Sequence, residues 1–276
     1  MIAVTGATGQ LGSAFLRLLP DAAGLTRADL DLTRPDLLRE RLDRLHCDTL
    51  INCAAYTAVD QAETDEPTAE AVNARSVEVM ARWAADRSAR LVTYSTDYVF
   101  DGTKSGAYVE SDLPNPQSAY GRTKLLGEQV ATQANPDCLV VRTSWVISGT
   151  HPSFVSTILR LVRERPISVV DDQHGSPTLA DDLASHTLRL LDIAATGLVH
   201  ATNEGATTWF HLAQAAAELA GIEPDRISPC TTAEFPRPAP RPANSLLVSE
   251  RYPDVGPMPP WRESLPSAVE QILTWL

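Results

Sequence analysis

The chain is poor in lysine: of its 23 basic residues only Lys104 and Lys124 are lysines, against 21 arginines. GC-rich codon usage accounts for that bias, yet it makes each remaining lysine worth examining. Cysteine is scarce too, and Cys47, Cys53, Cys138 and Cys230 form no CxxC pair. They read as reduced, mostly buried thiols rather than a disulfide frame. Positive charge is in deficit: 35 acidic residues bring the formal net charge to −12, which argues against a nucleic-acid partner, whose phosphates need a basic face. No apolar run approaches the ~20 residues that span a bilayer, so no membrane partner is expected. No basic stretch precedes Met1-Ile2-Ala3-Val4, and the expected compartment is the cytoplasm. The six histidines show neither HxxxH nor HExxH spacing, and no GxSxG elbow occurs. Metal-assisted and serine-based hydrolysis therefore lack support, and no metal site is expected.

What is present is an alternation. Short apolar runs at Ile2–Thr5, Thr49–Cys53 (TLINC), Arg90–Ser95 (RLVTYS) and Cys138–Thr143 (CLVVRT) are separated by amphipathic stretches. The latter predict helices over about Gln10–Leu19, Pro35–Leu45, Pro67–Arg87 and Ser118–Ala134. Near-continuous apolar strands between helices mark a parallel sheet covered on both faces, hence an α/β, doubly wound, Rossmann-like fold. Beyond residue 150 the pattern changes. A short strand at Ser168–Val170, a helix at Leu179–Ile193, a strand at Leu198–Ala201 and helices at Thr208–Ala220 and Ser264–Leu276 are expected. The stretch Ser228–Pro242 holds five prolines, too many for regular structure. The expected division is a dinucleotide-binding core over 1–150 and a smaller, mainly substrate-binding lobe over 151–276, with some segments returning to the core.

The turn after the first strand reads Thr5-Gly6-Ala7-Thr8-Gly9-Gln10-Leu11-Gly12. Glycines there allow a tight turn and close approach of a pyrophosphate, while the helix start offers free N–H groups and a positive dipole end. The spacing is GxxGxxG, and its place between a first strand and a first helix points to dinucleotide binding. At the end of the second strand, Gly24-Leu25-Thr26-Arg27 has no carboxylate for an adenosine 2′-hydroxyl. Arg27 either meets a 2′-phosphate, which favours NADPH over NADH, or is a solvated surface arginine. Asp31 and Leu32 either border the adenine or cap the next helix.

Tyr120 and Lys124 stand at i and i+4 in Tyr120-Gly121-Arg122-Thr123-Lys124, on one face of a predicted helix. Reduction of a carbonyl by hydride needs a proton for the forming alkoxide. A phenol can provide it, and a nearby ammonium favours the phenolate it leaves. Thr96 follows the Arg90–Ser95 strand at the edge where substrate meets cofactor, and its hydroxyl can bond the carbonyl. Ser95 competes for that role.

These motifs together resemble the extended short-chain dehydrogenase/reductases, and the remaining segments narrow the resemblance to the dTDP-4-dehydrorhamnose reductase family. It covers nearly the whole chain. Beyond the turn it rests on Asn52-Cys53-Ala54-Ala55-Tyr56-Thr57-Ala58-Val59-Asp60, Ser95-Thr96-Asp97-Tyr98-Val99-Phe100-Asp101-Gly102 and Tyr120-Gly121-Arg122-Thr123-Lys124-Leu125. Arg142-Thr143-Ser144-Trp145-Val146, Asp172-Gln173-His174-Gly175-Ser176-Pro177-Thr178 and Arg241-Pro242-Ala243-Asn244-Ser245 complete the set.

The resemblance implies NAD(P)H-dependent reduction of the C4 ketone of a dTDP-4-keto-6-deoxyhexose. It assigns Thr96, Tyr120 and Lys124 to catalysis and Gly9, Gln10, Leu11, Asp31, Leu32, Ala55, Tyr56 and Thr57 to the dinucleotide. Thr96, Asp97 and Trp145 fall where the family contacts the nucleotide sugar. Asp97 either accepts from a sugar hydroxyl or closes a local turn, and Trp145 is either a flat apolar wall or core packing. Arg241, in the proline-rich stretch, is either a partner for the diphosphate or a surface arginine. Two departures stand out. Some members are dimers bridged by magnesium through glutamates, but the matching first-helix position is Ala14, so neither that metal nor that dimer is carried over, although a homodimer remains open. Ile147 replaces a tyrosine common after the Trp-Val pair, leaving the identity of the sugar open. A non-catalytic NADP(H)-binding regulatory subunit and a nucleotide-sugar epimerase or dehydratase share the skeleton.

Overall fold

The structure, a computed structural model, describes residues 1–251 and 253–276. Its first half runs β1 (Ile2–Thr5), α1 (Gln10–Leu18), β2 (Ala23–Leu25), α2 (Pro35–Asp43), β3 (Thr49–Asn52), α3 (Val59–Ala62), α4 (Glu66–Glu70), α5 (Ser76–Asp86), β4 (Arg90–Thr96), α6 (Ala119–Ala134) and β5 (Leu139–Thr143). Successive strand residues point to opposite faces. Ala3, Leu50, Leu91 and Val140 enter one core with Leu38, Met80 and Trp83, while Val4, Ile51, Val92 and Val141 enter the other with Phe15 and Leu183. Both faces are buried, which is why the strands read as unbroken apolar runs.

With the later strand Gly197–His200 the sheet has six strands in the order Gly197–His200, β5, β4, β3, β1, β2, and every neighbouring pair is parallel. The order reverses between β1 and β3, the point at which such sheets open a crevice beyond their carboxyl ends. The helix Ala180–Asp192 covers the sheet beside α1. Helices Phe154–Glu164, Trp209–Leu219 and Trp261–Leu273 pack together through Leu159, Leu212, Trp261, Leu265 and Val269 in a separate cluster. Among the described residues no helix is long and apolar enough to cross a membrane.

Several expectations are corrected. The single helix over 67–87 is broken: a π-turn at Ala71–Arg75 separates α4 from α5. The wider turn seats buried Asn73, whose amide accepts from the Tyr56 N–H at 2.9 Å and donates to the Tyr56 carbonyl at 3.1 Å, and such π-insertions favour functional sites. Thr96 ends β4 instead of following it. The proline-rich stretch carries regular structure at its start, where Ile227–Cys230 pairs in parallel with Ile167–Val170. Among the described residues that strand pairs with Ile167–Val170 alone, so Pro229 is tolerated on an edge. The last helix begins at Trp261, three residues before the expected Ser264, and contains Pro266.

Candidate active site

The glycine turn works by close approach. Gly6 has φ +63°, and a Cβ there would lie 2.8 Å from the Ala54 nitrogen. A Cβ on Gly12 would lie 2.1 Å from the Gly6 carbonyl oxygen, so Gly12 packs α1 against the turn from behind and stays out of the crevice. Gly9 starts α1 without a side-chain cap, leaving the helix N–H groups open to an anion.

Above this turn lies a cavity of about 530 Å³ at the switch point. Every residue expected around the dinucleotide except Gly12 lines it: Gly6, Gly9, Gln10 and Leu11 from the turn, Arg27, Asp31 and Leu32 beyond β2, Ala55, Tyr56 and Thr57 beyond β3, and Tyr120 and Lys124 from α6. Sequence reasoning missed Thr143, which ends β5, and Val146, just beyond it, and gave Ser95 only as a competitor of Thr96. The cavity also holds buried polar atoms with no hydrogen-bond partner, namely Gln10 Oε1, Tyr56 OH, Ser95 Oγ and Thr143 Oγ1. Such atoms are costly unless a ligand or water satisfies them, so the lining fits a polar, elongated guest. A larger hollow of about 660 Å³ beside Gly197–His200 contains none of the expected site residues.

Arg27 stands at the rim with its side chain 79% exposed, 3.5 Å from Asp31. Asp31 bonds the Thr33 hydroxyl at 2.7 Å, and that bond chiefly lowers its pKa, with Arg27 adding to it. Thus a carboxylate, absent from residues 24–27, does reach this rim from position 31.

At the inner end, α6 opens on Ser118, whose hydroxyl accepts from the Gly121 N–H. Burial pushes the Tyr120 phenol up to about 12, the adjoining Thr96 hydroxyl pulling the other way. The Tyr98 ring meets Tyr120 edge-on at 5.7 Å. Thr96 donates to Asp97 Oδ1 at 2.9 Å and accepts from the Tyr98 N–H at 3.2 Å. Asp97 is buried, which raises its pKa to about 6 against the pull of the nearby Ser245 and Thr96 hydroxyls. Its Oδ2 lacks a partner in hydrogen-bond geometry. Lys124 is buried and its ammonium donates to the Tyr94 carbonyl at 2.6 Å. Desolvation lowers its pKa to about 8, and the charge of Glu128 resists that fall. The ammonium is thus anchored on the sheet, one helical turn from Tyr120.

Of the expected site residues Thr96, Asp97, Trp145 and Arg241 do not line this cavity, although Thr96 adjoins the Tyr120 hydroxyl. Trp145 has φ +47° and stacks on Trp209 at 3.7 Å with 13° between the rings. A tryptophan in that backbone region is strained and held by its surroundings. Arg241 donates to Asp60 Oδ1 at 2.6 Å and to the Ala239 carbonyl at 2.7 Å. Arg237 takes the other oxygen of Asp60 at 2.7 Å. One carboxylate on α3 thus ties down the proline-rich stretch. Burial and the two arginines oppose each other at Asp60, and its pKa ends below the usual carboxylate value. Ala14, the first-helix position considered for a metal bridge, is fully buried in the sheet core.

Residues 1–274 match the family described as RmlD substrate binding domain. The chain is 44% identical to a dTDP-4-dehydrorhamnose reductase of Mycobacterium tuberculosis, across 97% of this chain and 92% of that one. It is 43% identical to a probable dTDP-4,6-dihydroxy-2-methyloxan-3-one 4-ketoreductase of Streptomyces antibioticus, across 98% and 95%. Among solved structures, a dTDP-4-dehydrorhamnose reductase from Bacillus anthracis in complex with NADP superposes with a TM-score of 0.91 at 33% identity, covering 100% of this chain and 99% of that one. The chain belongs to the RmlD substrate-binding-domain family, that of the dTDP-4-dehydrorhamnose reductases.

Proposed function

We propose that this chain reduces the C4 ketone of a dTDP-linked 4-keto-6-deoxyhexose, with NADPH favoured over NADH. The observation that carries the reading is the meeting of Tyr120 and Lys124 in the lining of the switch-point cavity, with Thr96 against the Tyr120 hydroxyl, in a chain of this family. The unpaired atoms of Gln10, Tyr56, Ser95 and Thr143 supply donors and acceptors for a dinucleotide, the α1 start suits its pyrophosphate, and Arg27 suits a 2′-phosphate. The bound nicotinamide supplies the hydride.

The chain's own residues then handle the proton. With its phenol near 12, Tyr120 begins protonated at neutral pH, as an acid in the reductive direction must. The alkoxide developing at C4 is the stronger base and takes that proton. Thr96 orients the carbonyl and Lys124 places a positive charge beside the phenolate that remains. Asp97 Oδ2, without a partner, suits a sugar hydroxyl. Trp145 is assigned to the sugar side, and Arg241 to the diphosphate once it leaves Asp60. Residues 151–276 would mainly close over the sugar, and the cytoplasm is the proposed compartment.

The test follows absorbance at 340 nm with NADPH and a dTDP-4-keto-6-deoxy sugar generated in situ. Turnover is expected from the native chain, with a loss of about 10²–10⁴-fold in Tyr120→Phe at retained cofactor binding. Cofactor-competent native protein that turned over no such sugar would move the regulatory-subunit and epimerase readings ahead.

A further inference from the structure

The helix that carries Tyr120 and Lys124 carries a third member of the series. Glu128 lies one turn beyond Lys124 on α6, so residues 120, 124 and 128 follow one another at i, i+4 and i+8. The Glu128 side chain is 8% exposed and its partner Arg142, from β5, is 3% exposed. Arg142 grips both carboxylate oxygens, Nε to Oε1 at 2.8 Å and Nη2 to Oε2 at 2.7 Å. The guanidinium is itself fixed. It sits 5.0 Å from the centre of the Phe100 ring, and its Nη1 lies 3.4 Å from His200 Nε2. His200 Nδ1 faces the carbonyls of Tyr108 and Val248 at 3.2 and 3.1 Å, so Nδ1 carries the proton and Nε2 accepts from Arg142.

Such a pair is an expensive way to hold a helix on a sheet, because desolvation of both ions can exceed their attraction and apolar residues do the same work. Its place suggests a different task. Lys124 is a buried ammonium that donates to the Tyr94 carbonyl, a neutral acceptor. The ionisable and charged groups of the neighbouring elements are Tyr120 and Glu128 on α6, Tyr94 on β4 with Asp97 following that strand, Arg142 on β5 in the grip of Glu128, and Cys53 and Tyr56, which line the same cavity as Lys124. Of these, Glu128 is the group whose charge supports the ammonium.

We propose that Glu128, locked by Arg142, is a positioning residue: the buried counter-charge that keeps the Lys124 ammonium in place at the inner end of the cavity. The proposal rests on the reductase reading for its meaning, but the geometry it invokes is independent of substrate. Arg142 holds both oxygens of Glu128 from the sheet side, so the carboxylate closes no direct salt bridge with Lys124. The lysine is then charged yet free to serve the site.

The chain's shortage of lysine provides the assay. Protein grown on lysine labelled at Cε and Nζ gives two side-chain signals, and Lys104→Arg identifies the one from Lys124. In the native chain that signal is expected to titrate near pH 8. Glu128→Gln should lower the midpoint by about one pH unit or more, and Glu128→Asp, which keeps the charge, should restore most of it. Glu128→Gln combined with Arg142→Met avoids stranding a guanidinium and should shift the midpoint less, in the same direction. The alkaline limb of kcat/KM for reduction should follow these midpoints. An unmoved Lys124 midpoint in both Gln variants overturns the proposal, whether or not the native chain reduces a sugar. Absence of sugar turnover with the midpoints shifted as described counts against the reductase reading alone.

Discussion

Replacing Lys124 by methionine should make the protein more stable at neutral pH and remove one component of its pH dependence. Burial lowers the lysine from 10.5 to about 8, and at ~1.4 kcal/mol per unit this represents roughly 3 kcal/mol of unfavourable charge burial. Methionine has similar length and carries no charge, but it leaves the Tyr94 carbonyl without its donor, a loss of about 1–3 kcal/mol. The net gain at about pH 7 is therefore on the order of 1 kcal/mol. The folded pKa lies below the unfolded one, so between pH 8 and 10.5 the unfolded chain binds more protons and the native protein gains stability as pH rises. Moving from about pH 7 to about pH 9.5 relieves some 2 kcal/mol of the penalty in the native chain and none in the variant. Cys53, Cys138 and Tyr120 are raised by burial and act with the opposite sign in alkali, but they are common to both proteins and cancel in the difference. Urea unfolding of both chains at the two pH values gives that difference. An advantage of the variant that is the same at both pH values, or a variant less stable by more than about 2 kcal/mol at neutral pH, would refute the reasoning.

Three further outcomes follow from the site. In Gly12→Ala the new methyl meets the Gly6 carbonyl, and spreading the turn should cost about 1–3 kcal/mol in a thermal melt and weaken NADPH binding in calorimetry more than tenfold. Arg27→Ala should lower the preference for NADPH over NADH about tenfold or more in kcat/KM, as loss of a charge-assisted bond would; an unchanged ratio would make Arg27 a solvated surface residue. Asp60→Asn removes the carboxylate that holds Arg237 and Arg241, and limited proteolysis should then cut faster between residues 235 and 242, with no change elsewhere.

Much of this molecule could be read from sequence because the readable parts are local and periodic. The sheet strands alternate between two apolar cores, so four of the six appear as apolar runs and a fifth is foreseen at Leu198–Ala201, while β2, only Ala23–Leu25, is too short to stand out. The glycine turn and the Tyr120–Lys124 spacing carry their chemistry within a few residues, and the structure sets nearly all of that group around one cavity. What escaped depends on contacts distant in the chain. The break between α4 and α5 exists because Asn73 bonds the backbone of Tyr56, seventeen residues away, and helical periodicity does not register such a demand. The hold of Asp60 on Arg241 spans 181 residues. The Lys124 anchor is a backbone carbonyl, which no side-chain pattern encodes. Trp145 illustrates an open choice: its left-handed backbone and its stack on Trp209 are properties of the folded lobe.

The central claim is hydride delivery to C4 of a nucleotide-linked keto sugar, and isotope transfer tests it most directly. NADPH carrying deuterium at the transferable nicotinamide position would be incubated with the native chain and a dTDP-4-keto-6-deoxyhexose, and the sugar product examined by proton NMR. The account predicts deuterium at hexose C4 in one configuration and none in a Tyr120→Phe reaction of equal duration. An oxidised cofactor with no deuterium at C4, or a sugar altered without consumption of cofactor, would contradict it.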